Sequence, residues 1–207
     1  MPNGRYNSSK NQEVRAMDEI MEKIRQYIDG HPAADRLIVA IDGNCTSGKT
    51  TLAGQLAALY DCNVFHMDDF FLRPEQRTEE RYAEIGGNVD YERFYEEVLI
   101  PLRSGNAFSY RPFDCKTFTL MQPVAVAPKE LNIIEGTYSH HPYFGDVYDY
   151  RICLTVTEEV QRQRILQRPA FLHRPFFEKW IPMEKAYLEG FSIHQKSDLS
   201  GSCTTKT

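Results

Sequence analysis

Leu37-Ile38-Val39-Ala40-Ile41 runs through Asp42 into Gly43-Asn44-Cys45-Thr46-Ser47-Gly48-Lys49-Thr50, and the reading of this stretch decides the fold. The first five residues form a short continuous apolar run, as a strand covered on both faces requires. The next eight match G-x-x-x-x-G-K-[S/T] in full, and Thr50–Leu59 follows with helical periodicity. Strand, glycine-rich turn and helix are the context this pattern needs. Gly43 and Gly48 allow backbone angles closed to other residues, so main-chain amides can approach an anion closely. Consecutive N–H groups and a helix N-terminus make a concave positive site for phosphates. Lys49 supplies a mobile charge for β- and γ-phosphates, and Thr50 a hydroxyl for magnesium. Gly43, Asn44, Cys45, Thr46, Ser47, Gly48, Lys49, Thr50 and Thr51 are therefore the expected nucleotide contacts, with ATP and Mg²⁺ as cofactors.

Outward from this stretch, Val14, Met17, Ile20, Met21, Ile24 and Ile28 recur at three- and four-residue steps, predicting an amphipathic helix over Gln12–Ile28 that stops at Gly30-His31-Pro32. The first ten residues are expected to be frayed. Cys62–Met67 reads as a second buried strand, Leu131–Ile134 as a third and Tyr150–Val156 as a fourth. Tyr91–Arg103, Glu158–Arg168 and Phe176–Phe191 read as helices, the last kinked or split at Pro182. Ala107–Arg111 and Phe118–Val126 are weak strand candidates, Pro169–Pro175 a loop, and the polar tail after Gln195 has no firm element. Strands alternating with helices predict an α/β protein: a three-layer α/β/α P-loop NTPase fold with a mostly parallel sheet and a small helical lid. One domain over 1–207 is expected, with an N-terminal helical extension (1–34) and a lid near 160–178. In such sheets ligands gather at the carboxyl ends of the strands.

The chain has 207 residues and a net charge of 24 − 29 = −5, a poor balance for non-specific nucleic-acid binding. No apolar run approaches the roughly 18 residues of a membrane span, and the opening residues carry no signal-like stretch. The five cysteines, Cys45, Cys62, Cys115, Cys153 and Cys203, never form C-x-x-C, so neither a disulfide framework nor a zinc site is expected. A cytoplasmic location fits this usage. Oligomeric state is not readable.

The acceptor must be read from other strand ends. Asp68-Asp69 close the second strand, and neighbours in an extended chain point oppositely, so one carboxylate can face the phosphates while the other caps a turn. A hydroxyl acceptor loses its proton as it attacks, and a carboxylate can take it, whereas a phosphate acceptor would be repelled. An alcohol is thus indicated, with helix capping or a solvated turn as the competing reading. Glu135 ends the third strand, as a magnesium-associated carboxylate or a surface group beside Gly136. Arg162, Arg164, Arg168 and Arg174, with Arg164 and Arg168 four apart and expected on one helix face, belong either to a closing flap that neutralises developing charge or to a solvated face paired with Glu158 and Glu159.

Taken in order, GNCTSGKTTLA, MDDFF, IIEGTYS and the Arg-rich segment resemble the uridine kinase-like P-loop kinases, a group including nicotinamide riboside, pantothenate and phosphoribulokinase-type enzymes. The similarity covers about Leu37 to Tyr187. The resemblance implies transfer of a γ-phosphoryl group to a hydroxyl of a small, nucleoside-like acceptor. It implies Asp68 as base, Glu135 near magnesium, Arg164 and Arg168 as lid arginines, and Asp90 on sugar hydroxyls. It also places Phe113 and Tyr138 with the acceptor. The family's nucleoside-reading Tyr-Asp-x-x-x-x-His-x-Arg is replaced by Phe113-Asp114-Cys115-Lys116-Thr117-Phe118-Thr119-Leu120, which lacks the His and Arg. A phosphorylated or carboxylated acceptor is the alternative, with Arg73, Arg77 and Arg81 as its clamp or else a solvated helix face. A nucleotide-dependent switch is the reading from another class, although a guanine-reading Asn-Lys-x-Asp is absent. His140-His141 are expected not to bind metal, because adjacent side chains diverge.

Overall fold

A computed structural model describes residues 3–31 and 36–202, the backbone alone for 3–14. Pro32 and Cys203 therefore lie outside the described residues. In chain order the elements are α1 (Asn3–Asp29), β1 (Leu37–Gly43), α2 (Lys49–Leu59), β2 (Cys62–His66), α3 (Glu79–Ala83), α4 (Tyr91–Phe94) and α5 (Ile100–Ser104). Four short strands follow: β3 (Phe108–Tyr110), β4 (Phe113–Asp114), β5 (Thr119–Leu120) and β6 (Val124–Val126). Then come β7 (Leu131–Glu135), β8 (Tyr150–Thr155), α6 (Glu158–Leu166), α7 (His173–Pro175), α8 (Ile181–Gly190), α9 (Ile193–Lys196) and β9 (Leu199–Ser202).

The central sheet has the order β2-β7-β1-β8-β9, with every pairing parallel. Its faces are apolar on alternate residues. Ile38 and Ala40 join the core on one side with Phe65, Phe94 and Tyr187, while Leu37, Val39 and Ile41 join Ile20, Ile24, Leu52 and Leu56 on the other. That alternation explains why β1 reads as an unbroken apolar run. β2 differs from its reading: it is the sheet edge, and only Phe65 of its five residues is fully buried.

Several boundaries follow from proline chemistry. Tyr91–Ser104 is one helical run interrupted by a π turn at Tyr95–Leu99, and a second π turn spans Phe176–Trp180. Each precedes an Ile-Pro pair, Ile100-Pro101 and Ile181-Pro182, at the start of the next helix. Proline has no N–H to donate and its ring crowds the carbonyl four residues back, so a wider turn there keeps the helix running. The Pro169–Pro175 stretch, read as a loop, is a 3₁₀ turn (Ala170–Leu172) followed by α7. The polar tail also acquires structure, since β9 pairs along β8 from Ile152↔Leu199 to Thr155↔Ser202. An edge strand needs only one buried residue, here Leu199, and a Cβ on Gly201 would meet the Ile20 side chain of α1 at 2.2 Å. That demand for a glycine hid the strand from a hydrophobicity reading. α1 starts at Asn3, so it takes in most of the opening residues expected to fray.

His140 and His141 serve the core behind the sheet. The His140 ring lies 3.2 Å from the Ala40 carbonyl, while His141 stacks on Tyr91 at 4.2 Å with the planes 13° apart. Burial pushes the His141 pKa down to about 4, and His140 is lowered by the same cause. The unfolded chain binds protons at these rings below the ordinary value of about 6.5, and the folded chain does so only at lower pH. Their contribution is complete above pH 6.5 and is lost as pH falls toward 4. The His141 part reaches at most about 3 kcal/mol. The urea midpoint should fall steadily between pH 6.5 and 4.5, with a shallower slope in His141→Gln. A flat wild-type midpoint across that window would contradict a neutral buried imidazole.

Candidate active site

The sheet order sets three chain segments side by side. β7 lies between β1 and β2, and in register Glu135 is level with Ile41 on one side and His66 on the other. The loop after β1, the Glu135-Gly136 end of β7 and the Met67–Phe70 turn after β2 thus share one edge. A cleft of about 780 Å³ opens there, lined by Cys45, Thr46, Lys49, Thr50, Asp68 and Glu135 among others.

The loop has the geometry its sequence implies. Gly43 has φ 135° and Gly48 φ 99°, and a Cβ on Gly43 would fall 1.7 Å from the Leu154 carbonyl oxygen. Thr46 also takes a left-handed angle, φ 64°. Lys49, only 7% exposed, donates to the carbonyls of Gly43 (2.9 Å) and Asn44 (2.8 Å). The Asn44 side chain donates to the Val156 carbonyl and accepts from its N–H, both at 3.1 Å, pinning the loop to the end of β8. The buried hydroxyls of Thr46 and Ser47 have no hydrogen-bond partner among the described residues. Unpartnered donors in a glycine-rich turn at a helix N-terminus fit an oxyanion ligand such as a polyphosphate.

Thr50 Oγ1 lies 3.2 Å from both carboxylate oxygens of Glu135. His66 Nδ1 is 2.6 Å from Glu135 Oε1, a contact that raises the His66 pKa. A hydroxyl and a carboxylate beside the loop are hard oxygen donors, few in number, and so suit Mg²⁺ with water completing its shell.

The tandem aspartates separate as neighbours should. Asp68 stands open to the cleft with protein around it, and desolvation first, then Glu135, raises its pKa against the lowering by Lys49. Asp69 turns away and accepts from Tyr110 OH at 3.2 Å, and its carbonyl takes a bond from Arg93.

The structure does not bring every expected residue into the cleft. Asp90 is 2% exposed, caps α4 by accepting from Arg93 N at 3.1 Å, and its Oδ2 faces the Nε atoms of Arg73 and Arg93, each at 3.6 Å. It is not among the residues that line the cleft; Oδ1 caps the helix, while the buried Oδ2 has no hydrogen-bond partner among the described residues. Phe113 is 4% exposed and also lies outside the lining, packed near Arg77. Tyr138 does line the cleft, 3% exposed and at φ 79°. Gly43, Asn44, Ser47 and Gly48 belong to the loop and Thr51 to the first turn of α2, and none of the five is among the residues that line the cleft. Arg168 lies beyond the end of α6 and lines the cleft, whereas Arg164 donates to the Thr46 carbonyl at 2.7 Å; they do not share a helix face. Glu158 pairs with Lys185, not with these arginines.

The Arg73, Arg77 and Arg81 series also divides. Arg81 is held by Glu92 at 2.6 Å and by the carbonyls of Gly87 and Val89. Arg73 is drawn to Asp90, and Arg77 alone of the three lines the cleft. Cys45 sits against Glu184 and Gln161, and burial pushes its thiol up to about 12, so a reactive thiolate is disfavoured there.

Sequence reading missed Glu184 altogether. It reaches the cleft from α8, 139 positions beyond the loop it touches. Its only local signal is a carboxylate on an otherwise core-facing helical stripe with Tyr187.

The loop, the parallel sheet and the helices around it define a P-loop protein with the fold of uridine kinase-like kinases. A protein from Bacillus stearothermophilus described as a possible uridine kinase superposes with TM-score 0.67 at 21% identity, covering 90% of this chain and 97% of that one. A Silicibacter protein provisionally assigned as a fructose transport system kinase gives TM-score 0.62 at 21% identity, covering 89% and 98%. A bifunctional alpha-galactosidase/sucrose kinase of Mediterraneibacter gnavus is 30% identical over 113 residues, which are 45% of this chain and 12% of that protein. No family model matches the chain. Among the described residues, no helix is long and apolar enough to cross a membrane.

Proposed function

We propose that the protein is an ATP- and Mg²⁺-dependent kinase that phosphorylates a hydroxyl group of a small molecule. The observation that carries this reading is the convergence of Lys49, the Thr50–Glu135 pair and Asp68 on one cleft. In this reading Lys49 and the loop amides orient the phosphates, and Thr50 and Glu135 hold the metal. Magnesium, when bound, supplies charge neutralisation at the phosphates. Asp68 accepts the acceptor's proton, and Arg168 closes over the transferred group and excludes water. Arg164 supports the loop through Thr46. A location in the cytoplasm, without nucleic-acid or membrane partners, fits the charge and the cysteine usage.

The leading acceptor is nucleoside-like, supported by the aromatic lining from Phe71, Tyr82, Phe118, Phe171 and Trp180, with Tyr138 beside it. A second reading, an anionic acceptor, is favoured by Arg77. Its guanidinium lies 4.9 Å from the Phe118 ring centre, and no described carboxylate pairs with it. ADP release should be followed with nucleosides, nicotinamide riboside, pantothenate and, given the sucrose kinase relative, sucrose and fructose. If the acceptor is anionic, Arg77→Glu should raise its KM by about tenfold or more, because an attractive charge becomes a repulsive one. A neutral acceptor should be little affected. ATP hydrolysis that no acceptor accelerates would favour a nucleotide switch over a kinase.

A further inference from the structure

The main chain of the phosphate loop is held from outside by two helices, α6 at the start of the expected lid and α8 just beyond its end. From α8, Glu184 accepts a hydrogen bond from Cys45 N at 2.9 Å, and Tyr187, three residues on, donates to Asp42 Oδ2 at 2.6 Å. Asp42 in turn accepts from Gly43 N at 2.6 Å and His140 N at 2.7 Å. From α6, Gln161 donates to Cys45 Sγ at 3.1 Å, and to the Cys45 carbonyl and Glu184, both at 3.4 Å. Glu184 and Gln161 are 7% and 4% exposed, so neither bond competes freely with water. The lid expected near 160–178 runs from α6 through the 3₁₀ turn and α7 into the second π turn, just ahead of α8.

We propose that Glu184 is a positioning residue for nucleotide binding, fixing the loop at Cys45 and tying its shape to the helix that leaves the lid. A buried carboxylate in a cleft built for phosphate is otherwise costly, since it repels the ligand. Aimed at Cys45 N–H, it does what packing alone cannot: it holds one loop amide in direction while the amides nearer Lys49 stay available. Tyr187 anchors the same helix face to the loop's entry, so α8 and the loop move as one piece. The proposal rests on the nucleotide-binding half of the kinase reading and not on the acceptor.

The test compares Glu184→Ala with Glu184→Gln, using fluorescent mant-ATP for affinity, steady-state kinetics for KM and kcat, and thermal melts to verify folding. A glutamine oxygen can still accept from Cys45 N–H, whereas alanine cannot. Glu184→Ala should weaken mant-ATP binding about tenfold or more, from the loss of a hydrogen bond to a charged acceptor. Glu184→Gln should stay within about threefold of the wild type or bind more tightly, since it keeps the bond without the charge. Unchanged binding in Glu184→Ala overturns the proposal. So does a glutamine variant as weak as alanine, or an effect confined to acceptor KM. Should Glu184→Ala not fold, Tyr187→Phe carries the test, with a smaller loss of mant-ATP affinity expected and no change overturning the tie to α8. Wild-type protein that binds mant-ATP but phosphorylates nothing would remove the kinase reading and leave this one standing.

Discussion

Lys49→Ala is expected to reduce turnover by at least about 10²-fold and to weaken nucleotide binding at least about tenfold, as removal of a preorganised charge at a phosphate site does. Lys49 is 7% exposed, and its ammonium donates to the carbonyls of Gly43 and Asn44 at the mouth of the loop. Gly43 O keeps a second donor in Thr137 Oγ1 at 2.9 Å, so the loop is not left with a bare buried acceptor there. Loss of function in Lys49→Ala should therefore exceed loss of stability, and Lys49→Met, which keeps the aliphatic stem, should be as inactive. The checks are ADP release, mant-ATP titration and a thermal melt. Survival of both rate and affinity would sink the phosphate-loop assignment.

Asp68→Asn should keep ATP affinity and lower turnover by about 10²-fold or more, the usual scale for removing a general base. Asparagine is nearly isosteric but takes no proton. Desolvation holds the Asp68 pKa above the ordinary carboxylate value, which strengthens it as a base and sets where it fails. The proton-accepting form is populated above that raised pKa, so kcat should fall as pH drops through it, and this acid limb should vanish in the variant. Asp69→Asn is the control: its carboxylate is held by Tyr110, and the expected loss in turnover is under about tenfold. If the two substitutions exchanged effects, the base would have been assigned to the wrong member of the pair.

The loop was legible because everything it needs is local. An apolar strand, two glycines in left-handed or otherwise restricted conformations, and Lys49-Thr50 at a helix start lie within 14 residues, Leu37 to Thr50. The π turns were half legible: Pro182 marked a break, but only the backbone shows that the break is a widened turn just ahead of Ile181-Pro182. β9 was hidden because an edge strand against α1 needs a glycine more than it needs apolar residues.

Asp90 is legible only in part: its place at the start of a helix can be read locally, whereas its burial and the Arg73 and Arg93 side chains that face it come from distant or packed neighbours. The sequence by itself determined the class of fold, the glycine-rich loop between β1 and α2 and the carboxylates at the ends of β2 and β7, since periodicity and glycine placement act over a few residues. Tertiary structure alone decided that β7 lies between β1 and β2, bringing Thr50 to Glu135 across 85 positions, and that Glu184 meets Cys45 across 139. Such pairings depend on which apolar faces bury one another, and no local stretch of chain encodes that choice.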